Sequence, residues 1–269
     1  MRLLFDIGGT HTRLALAKNN KEFCEPQVFD TPENFEENLE LWEERISLLL
    51  QSNSGEITEA VGGVPGMVNE ENKLIRSPNL PQWKGLNIEM RLQKFLEKPV
   101  TLKNDADMVG LGEAEFGPGQ DEEIVVYLTI STGIGGTRIV SGEIDQFTLG
   151  FEPGHQLIGD IENEQPTEWE ALASGSGLEE KYGKDPKDLG DEVYDKVTHY
   201  IAVGVHNTIV HWSPNMVILG GGIMLGDIDI NQLEEKVEDI MYIFHELPEF
   251  RQAELGDVGG LYGALAYNN

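Results

Sequence analysis

The sequence predicts an α/β fold made of two related half-domains. In two separate stretches an apolar run turns through glycine and threonine and then resumes as a second β-rich run, the pattern of a tight hairpin. The first hairpin covers Leu3 to Ala17 and the second Ile124 to Val140. Between and after them, short apolar strands alternate with helical patterns, an order typical of α/β folds. A hairpin repeated within this alternation indicates a duplicated domain.

The segments of the first half can be taken in order. Apolar residues at spacings of three and four predict an acidic helix from Pro32 to Gln51. A buried strand from Ala60 to Val64 ends at Pro65-Gly66, and a second helix covers Asn87 to Glu97. The strand from Val100 to Leu102 then delivers Asn104 and Asp105 to its carboxyl end, the edge at which ligands of α/β sheets bind.

The second half repeats this alternation and ends in a helix that we expect to pack on the first half. The predicted elements are helices Glu168 to Tyr182, Asp191 to Trp212 and Gly256 to Tyr267, and an apolar strand from Met216 to Leu219. We predict that residues 1–104 form an N-terminal domain completed by 256–269, and that residues 105–255 form the C-terminal domain.

Composition excludes several kinds of partner. The 269 residues include 48 acidic and 19 basic side chains, for a formal charge of −29. A field of this sign repels nucleic acids and anionic membranes. Cys24 is the only cysteine, so no disulfide can form within the chain. No apolar run reaches the roughly 18 residues of a membrane span and no signal peptide precedes the first strand. We therefore expect a soluble cytoplasmic protein.

Both hairpins carry the residues that a phosphate site needs. Glycine lets backbone N–H groups approach a phosphate, and threonine adds a hydroxyl donor. The first loop is Asp6-Ile7-Gly8-Gly9-Thr10, and the second contains Thr132-Gly133-Ile134-Gly135-Gly136. A carboxylate beside phosphates indicates a Mg²⁺ ion between them, which makes Asp6 the candidate metal residue. The alternative is a pair of ordinary glycine hairpins.

Asn104 and Asp105 are candidates for substrate binding and catalysis. Phosphoryl transfer to an alcohol requires a carboxylate that accepts the hydroxyl proton, and Asp105 at a strand end suits that role. Asn104 can hydrogen-bond to hydroxyl groups. Asp107 competes as the base, and a plain helix N-cap explains Asn-Asp equally well.

Two further groups are weaker candidates. Glu152 and His155 flank a rigid Pro-Gly turn and suit recognition of vicinal hydroxyls, although a surface turn is the alternative. Three glycines at 220–222 permit close approach of a nucleotide's adenosine, or make a simple strand-to-helix turn. Glu170 begins a predicted helix, where an acidic residue is favourable in any case.

Taken together, these motifs resemble the ROK family of bacterial sugar kinases, in order and over nearly the whole chain. The matching segments are Asp6-Ile7-Gly8-Gly9-Thr10, Gly63-Val64-Pro65-Gly66, Ser77-Pro78-Asn79-Leu80, Asn104-Asp105-Ala106-Asp107, Ser131-Thr132-Gly133-Ile134-Gly135-Gly136, Glu152-Pro153-Gly154-His155, Glu170 with Ser174-Gly175, and Leu219-Gly220-Gly221-Gly222.

The resemblance implies an actin-like fold of two ribonuclease-H-like domains with a cleft between them, an ATP- and Mg²⁺-dependent hexokinase reaction, and a homodimer. By matching position, Asp105 resembles the catalytic base. The residues that resemble sugar contacts are Gly66, Asn79, Asn104, Asp105, Glu152, His155 and Glu170. Those that resemble nucleotide contacts are Asp6, Gly8, Gly9, Thr10, Thr12, Thr132, Gly133, Gly135, Gly136, Gly221 and Gly222.

The chain departs from the family pattern at three places. Most members follow the Glu-x-Gly-His turn with cysteines that bind a structural zinc together with that histidine, but residues 156–175 contain no cysteine. Zinc needs about four nitrogen or sulfur ligands, so we predict no zinc. In addition, His11 replaces a common lysine and Ser131 a common glycine.

Three functions from different classes remain. The first is a hexose kinase, with glucose ahead of fructose, mannose and the N-acetylhexosamines. The second is a transcriptional regulator of the same family, which the acidic charge and the start at the first strand disfavour. The third is a nucleotide-binding protein of the actin and chaperone ATPase group, for which ATP hydrolysis would not depend on sugar.

Overall fold

The computed structural model describes residues 1–68, 73–77, 80–159, 166–226 and 228–268. Two compact units make up the chain. Unit 1 comprises Met1–Phe116 and the chain from Leu255 onward, and unit 2 comprises Gly117–Glu254. The division therefore falls after Phe116 and not after residue 104, because the helix that follows Asn104 packs within unit 1.

The strands belong to both units. In chain order they are β1 (Arg2–Ile7), β2 (His11–Ala17), β3 (Gln27–Asp30), β4 (Glu59–Val64), β5 (Met67–Val68), β6 (Leu74–Arg76), β7 (Val100–Asn104), β8 (Ile124–Ile130), β9 (Ile134–Val140), β10 (Glu143–Ile144), β11 (Leu157–Gly159), β12 (Pro166–Glu168), β13 (Met216–Gly220) and β14 (Glu249–Gln252).

The helices fall between these strands. They are α1 (Phe35–Ser52), α2 (Ile88–Leu96), α3 (Asp105–Glu115), α4 (Trp169–Ala173), α5 (Gly175–Tyr182), α6 (Asp191–Trp212), α7 (Gly222–Gly226), α8 (Ile230–Ile240) and α9 (Gly259–Ala266). Within the described parts of the chain, no helix has both the length and the apolar character that crossing a membrane requires.

The same sheet pattern occurs in each unit. In unit 1 the strand order is β3-β2-β1-β4-β7, and in unit 2 it is β10-β9-β8-β13-β14. In both sheets the first three strands pair antiparallel, and the remaining pairs are parallel. The α/β class and the duplication predicted from the two hairpins are thus confirmed.

Side chains that alternate along the strands of the unit 1 sheet are buried in two layers, one on each face of the sheet. Leu3 and Phe5 pack on one face with Trp42 of α1, whereas Leu4 packs on the other with residues of α3 and α9. Because successive side chains of a strand point to opposite faces, a run of apolar residues in β1 supports both layers. The strand end at Asp6 is consequently held from two sides.

The predicted helix over 168–182 is wrong in one respect, because it is two helices. Ser174 interrupts it with an extended conformation (φ −85°, ψ 161°), and its side chain accepts a hydrogen bond from the Gly177 N–H. An N-cap serine starts a new helix at this point. The elements that were not predicted include β3, α8 and β14. In β14 only Phe250 is buried, so the strand has no apolar run to reveal it.

Gly204 of α6 provides a test of packing in unit 2. A Cβ built on Gly204 would lie 2.2 Å from the buried Trp169 ring. We therefore expect Gly204→Ala to destabilise the protein by about 1–3 kcal/mol through overpacking, measured by urea unfolding. Gly190 is the matched control, since φ is −90° there and a Cβ would meet no atom within 4 Å. Equal losses in the two variants would contradict the packing account.

Candidate active site

Two carboxylates of unit 1 lie at the ends of two strands of the same sheet. Asp6 is the penultimate residue of β1, and Asp105 follows β7 as the first residue of α3. Strand β4 runs between them, with Gly63 paired to Asp6 on one side and to Lys103 on the other. A Cβ on Gly63 would lie 3.1 Å from Asp105 Cα. The missing side chain lets α3 begin close to the sheet.

The environment of Asp6 is short of positive charge. Burial, together with the nearby negative charges of Asp105 and Asp257, raises its pKa from 3.8 to about 7, and Arg13 opposes this shift. Arg13 Nη1 is 3.9 Å from the Asp6 carboxylate, and Arg13 Nη2 is 3.1 Å from Asp257. One arginine therefore lies near two carboxylates. The negative charge that it does not neutralise makes the site suited to a further cation.

The start of α3 is built by the Asn-Asp pair itself. The Ala106 N–H donates to Asn104 Oδ1 at 2.8 Å and to Asp105 Oδ1 at 2.9 Å. Asn104 Nδ2 donates to the carbonyl of Gly66, a residue with φ of 111°. Asp107 is only 4% exposed, whereas Asp105 is half-buried. Asn104 is thus an N-cap, and Asp105 is the more accessible of the two candidate bases.

The loop of the first hairpin is short and tightly bonded. The Gly8 N–H donates to the His11 carbonyl at 2.9 Å, and the Thr31 hydroxyl donates to the Gly8 carbonyl at 2.8 Å. Gly8 and Gly9 are partly exposed and Thr10 is exposed. Thr12, predicted as a nucleotide contact, lies within β2. Thr12 is fully buried with its hydroxyl 2.9 Å from Thr31 Oγ1, because alternation in β2 turns it to the interior.

The second hairpin loop, in unit 2, is held by α5. The N–H groups of Gly175 and Ser176 donate to the carbonyls of Ser131 and Thr132, at 2.7 and 3.0 Å. Thr132 is exposed and Gly133 partly so. Beyond them the chain enters β9, where Gly135 pairs with Thr129 of β8 and Gly136 is buried. The exposed part of this loop is therefore Thr132-Gly133.

The glycines beyond β13 have different surroundings. Gly221 has φ of 91°, and a Cβ there would lie 2.4 Å from the Ile130 carbonyl oxygen, so the backbone itself requires glycine. A Cβ on Gly222, the first residue of α7, would meet no described atom within 4 Å. Gly222 is therefore exposed, with bare backbone where a side chain would lie.

Three polar side chains converge around the turn at 153–155, a single 3-10 turn. Gly154 packs on β9, since a Cβ there would lie 2.4 Å from the Ile134 carbonyl oxygen. Glu170 Oε2 accepts the Ile134 N–H at 2.8 Å, and His155 Nδ1 lies 3.0 Å from the Glu168 carboxylate. Glu152 is the exposed residue before the turn. Of the predicted residues Glu152, His155 and Glu170, Glu170 thus contacts the second hairpin loop directly, and the other two flank a turn that packs on β9.

Comparison with known proteins identifies the family. The model of the ROK family matches residues 3–268. The chain belongs to the ROK family. A glucokinase of Thermotoga maritima is 32% identical over 97% of this chain and 95% of its own length. An N-acetyl-D-glucosamine kinase of Histophilus somni is 28% identical over 97% of both chains.

A solved ROK structure shows the same fold. The ROK hexokinase of Thermus thermophilus superimposes with a TM-score of 0.85 at 27% identity, covering 98% of this chain and 96% of its own. This chain accordingly has the actin-like fold of duplicated ribonuclease-H-like domains that the resemblance to the ROK family implied.

Not every predicted ROK site residue can be located, and some neighbours were missed. Asn79 lies outside the described residues. The missed residues include Glu168, beside His155, and Gly260 of α9, where a Cβ would lie 2.7 Å from Asp6 Cγ. Paired glycines at 259–260 were the only sequence signal for the second contact, and nothing in the sequence connected Glu168 with His155.

Asp6→Asn tests the electrostatics of this ROK site. Because the pKa of Asp6 is raised in the folded protein, the unfolded chain loses its proton first as pH rises, and folding is penalised progressively between about pH 4 and pH 7. Removing the charge should therefore stabilise the protein more at pH 8 than at pH 5.5, by on the order of 1–2 kcal/mol. Urea unfolding in a metal-free buffer measures this difference.

Asp30→Asn is the control for that experiment. Asp30 lies in the same unit with its side chain 95% exposed, so its removal changes the net charge without relieving burial. A stabilisation by Asp6→Asn that does not grow with pH, or that Asp30→Asn reproduces, would show that Asp6 ionises in its ordinary range.

Proposed function

We propose that this protein transfers the γ-phosphoryl group of ATP to a hydroxyl of a hexose, with glucose and its 6-hydroxyl as the first candidates. The observation that carries the proposal is the pair Asp6 and Asp105 at the ends of β1 and β7, the two strands that flank β4, with too little positive charge to neutralise both. Kinases of this kind need one carboxylate for a metal ion and one for the hydroxyl proton. The glucokinase and hexokinase relatives support the same reaction.

Asp105 is the proposed general base. It begins α3, and one of its carboxylate oxygens accepts the Ala106 N–H. Its carboxyl group would take the proton of the attacking sugar hydroxyl as the bond to phosphorus forms. The buried position of Asp107 makes it the poorer candidate. Because Asp105 is fixed at the start of a helix, the reaction does not incur the entropic cost of orienting a mobile base.

The residues present fit a hard cation such as Mg²⁺. Asp6 offers carboxylate oxygens, and the described residues contain no cluster of three or more His, Cys, Asp or Glu that would form an all-protein cage. Mg²⁺ bound with nucleotide is usually held by one or two carboxylates together with phosphates and water. When bound, the ion would neutralise charge on the transferred phosphoryl group. Asp6 would hold it directly or through water.

The two hairpin loops are the proposed phosphate-binding elements. In unit 1, Gly9 and Thr10 would donate backbone and hydroxyl hydrogens, and Gly8, whose N–H donates to the His11 carbonyl, would shape the loop. In unit 2, Thr132 and Gly133 would donate in the same way. We propose that Gly221 and Gly222 approach the adenosine. Gly135 and Gly136 support the loop from within β9.

We propose that the sugar is bound by polar groups of the family motifs. These are Gly66, Asn79, Asn104 and Asp105, together with Glu152, His155 and Glu170. Carboxylates, amides and imidazoles recognise hydroxyl groups by paired donor and acceptor atoms. The listed relatives act on glucose in one case and N-acetylglucosamine in another, so fructose, mannose and the N-acetylhexosamines are the alternatives to glucose. We also propose that the protein is a homodimer, that it acts in the cytoplasm and that it binds no structural zinc.

An acceptor panel with an Asp105→Asn variant tests this function. We expect ADP release from Mg-ATP to depend on one sugar among glucose, fructose, mannose, N-acetylglucosamine and N-acetylmannosamine. Asp105→Asn should lower kcat by about 100-fold or more, because the base acts in the transition state. Its sugar Kd, measured by calorimetry, should stay within about tenfold of the parent value.

Asp107→Asn and a sugar-free reaction serve as controls. If Asp107→Asn loses more turnover than Asp105→Asn while remaining folded, the base has been assigned to the wrong residue. ATP hydrolysis that is the same with and without every sugar would instead favour the nucleotide-binding protein of the actin and chaperone group.

A further inference from the structure

His155 is paired with a carboxylate that none of the motifs includes. Its Nδ1 atom lies 3.0 Å from Oε2 of Glu168, a hydrogen-bonding distance. The His155 side chain is 28% exposed and that of Glu168 is 51% exposed. The pair is therefore open to solvent on one side, and its value lies in orienting the ring more than in stabilising the fold.

The backbone holds Glu168 firmly next to the histidine turn. β11 and β12 form an antiparallel pair in which Glu168 lies opposite Leu157. The next residue, Trp169, donates its N–H to the Gln156 carbonyl at 2.9 Å, and its side chain is completely buried. Because Trp169 is locked into the core against Gly204, Glu168 has little freedom to move away from His155.

Gln156 fixes the other side of the same connection. Its side-chain amide donates to the Gly204 carbonyl at 3.3 Å, and its oxygen accepts from Asn207 Nδ2 at 2.9 Å. The residue that follows His155 is thus tied to α6 by two hydrogen bonds. The 3-10 turn and the strand bearing Glu168 are consequently anchored to one helix.

A carboxylate at Nδ1 determines how an imidazole behaves at its other nitrogen. When Nδ1 carries the proton and donates it to the carboxylate, the lone pair is on Nε2, which then accepts a hydrogen bond. A hydroxyl group of a sugar is a suitable donor. Carboxylates that orient an imidazole in this way typically change the affinity of its ligand tenfold or more when removed.

We propose that Glu168 is a positioning residue for sugar binding, which orients His155 and sets its tautomer so that Nε2 accepts a sugar hydroxyl. The inference rests on the proposed function, in which His155 contacts the sugar. It also suits a turn that lacks the cysteines of the usual zinc site. Residues 156–175 contain no cysteine, so the thiolate ligands of such a site are missing there, and in this proposal a carboxylate orients the ring instead.

Steady-state kinetics of Glu168→Ala provide the first test. We expect the KM for the sugar to rise about tenfold, with kcat and the KM for ATP within about threefold of the parent values. Glu168→Gln should recover most of the loss, since its amide oxygen can accept the same N–H. Glu180→Ala removes another exposed glutamate of unit 2 and should leave all three constants unchanged.

A double-mutant cycle separates positioning from an independent effect. If Glu168 acts through His155, the variant carrying both His155→Ala and Glu168→Ala should have the same sugar KM as His155→Ala alone. Additive effects would overturn the proposal. A Glu168→Ala enzyme whose sugar KM equals that of the parent would also overturn the proposal. This holds even if the parent is an active sugar kinase, so the inference can fail while the proposed function stands.

The tautomer can be observed without any activity. In ¹⁵N-histidine NMR spectra at pH 8.5, the signal lost in His155→Ala identifies His155, and we expect it to show the proton on Nδ1. In Glu168→Gln this preference should persist, and in Glu168→Ala it should weaken. A proton on Nε2 in the parent protein would overturn the inference, whereas a parent that phosphorylates no sugar but shows the expected tautomer would overturn only the proposed function.

Discussion

The structure of unit 1 depends on keeping two like charges close together at the end of one sheet. Asp6 and Asp105 repel each other, and burial adds to the cost of ionising Asp6. Glycines make this arrangement possible. Gly63 leaves room for the start of α3, and Gly260 allows α9 to cover the Asp6 carboxylate. Holding an ionised Asp6 at this position therefore costs free energy of folding.

The packing of α3 against α9 follows from that requirement. A Cβ on Gly263 would lie 1.7 Å from the Met108 carbonyl oxygen, and one on Gly112 would lie 2.5 Å from the Gly259 carbonyl oxygen. The two helices therefore meet backbone to backbone, which brings the far end of the chain onto Asp6. Glu113 of α3, fully buried, accepts the Leu255 N–H at 2.9 Å and fixes where this final segment begins.

In unit 2 the five-residue helix α4 contacts both the turn at 153–155 and strand β9 of the second hairpin. Glu168 just before it reaches His155, Trp169 anchors it in the core, and Glu170 accepts the Ile134 N–H beside the loop. A pattern of period 3.6 continues through Ser174 into α5, so periodicity alone predicted one helix there. The hydrogen bonds made by the capping side chain and the loop carbonyls interrupt it, and those partners come from elsewhere in the chain.

The sequence by itself determined the class of fold, the duplicated hairpins and the motifs of the ROK family, because periodicity, glycine turns and short collinear motifs are local properties. It also placed Asp6 and Asp105 at strand ends. Only the tertiary structure decided that Thr12 is interior, that α3 belongs with unit 1, that Arg13 is shared by two carboxylates, and that Glu168 meets His155. Each of these depends on contacts across strands or helices, whose register and burial no local pattern encodes.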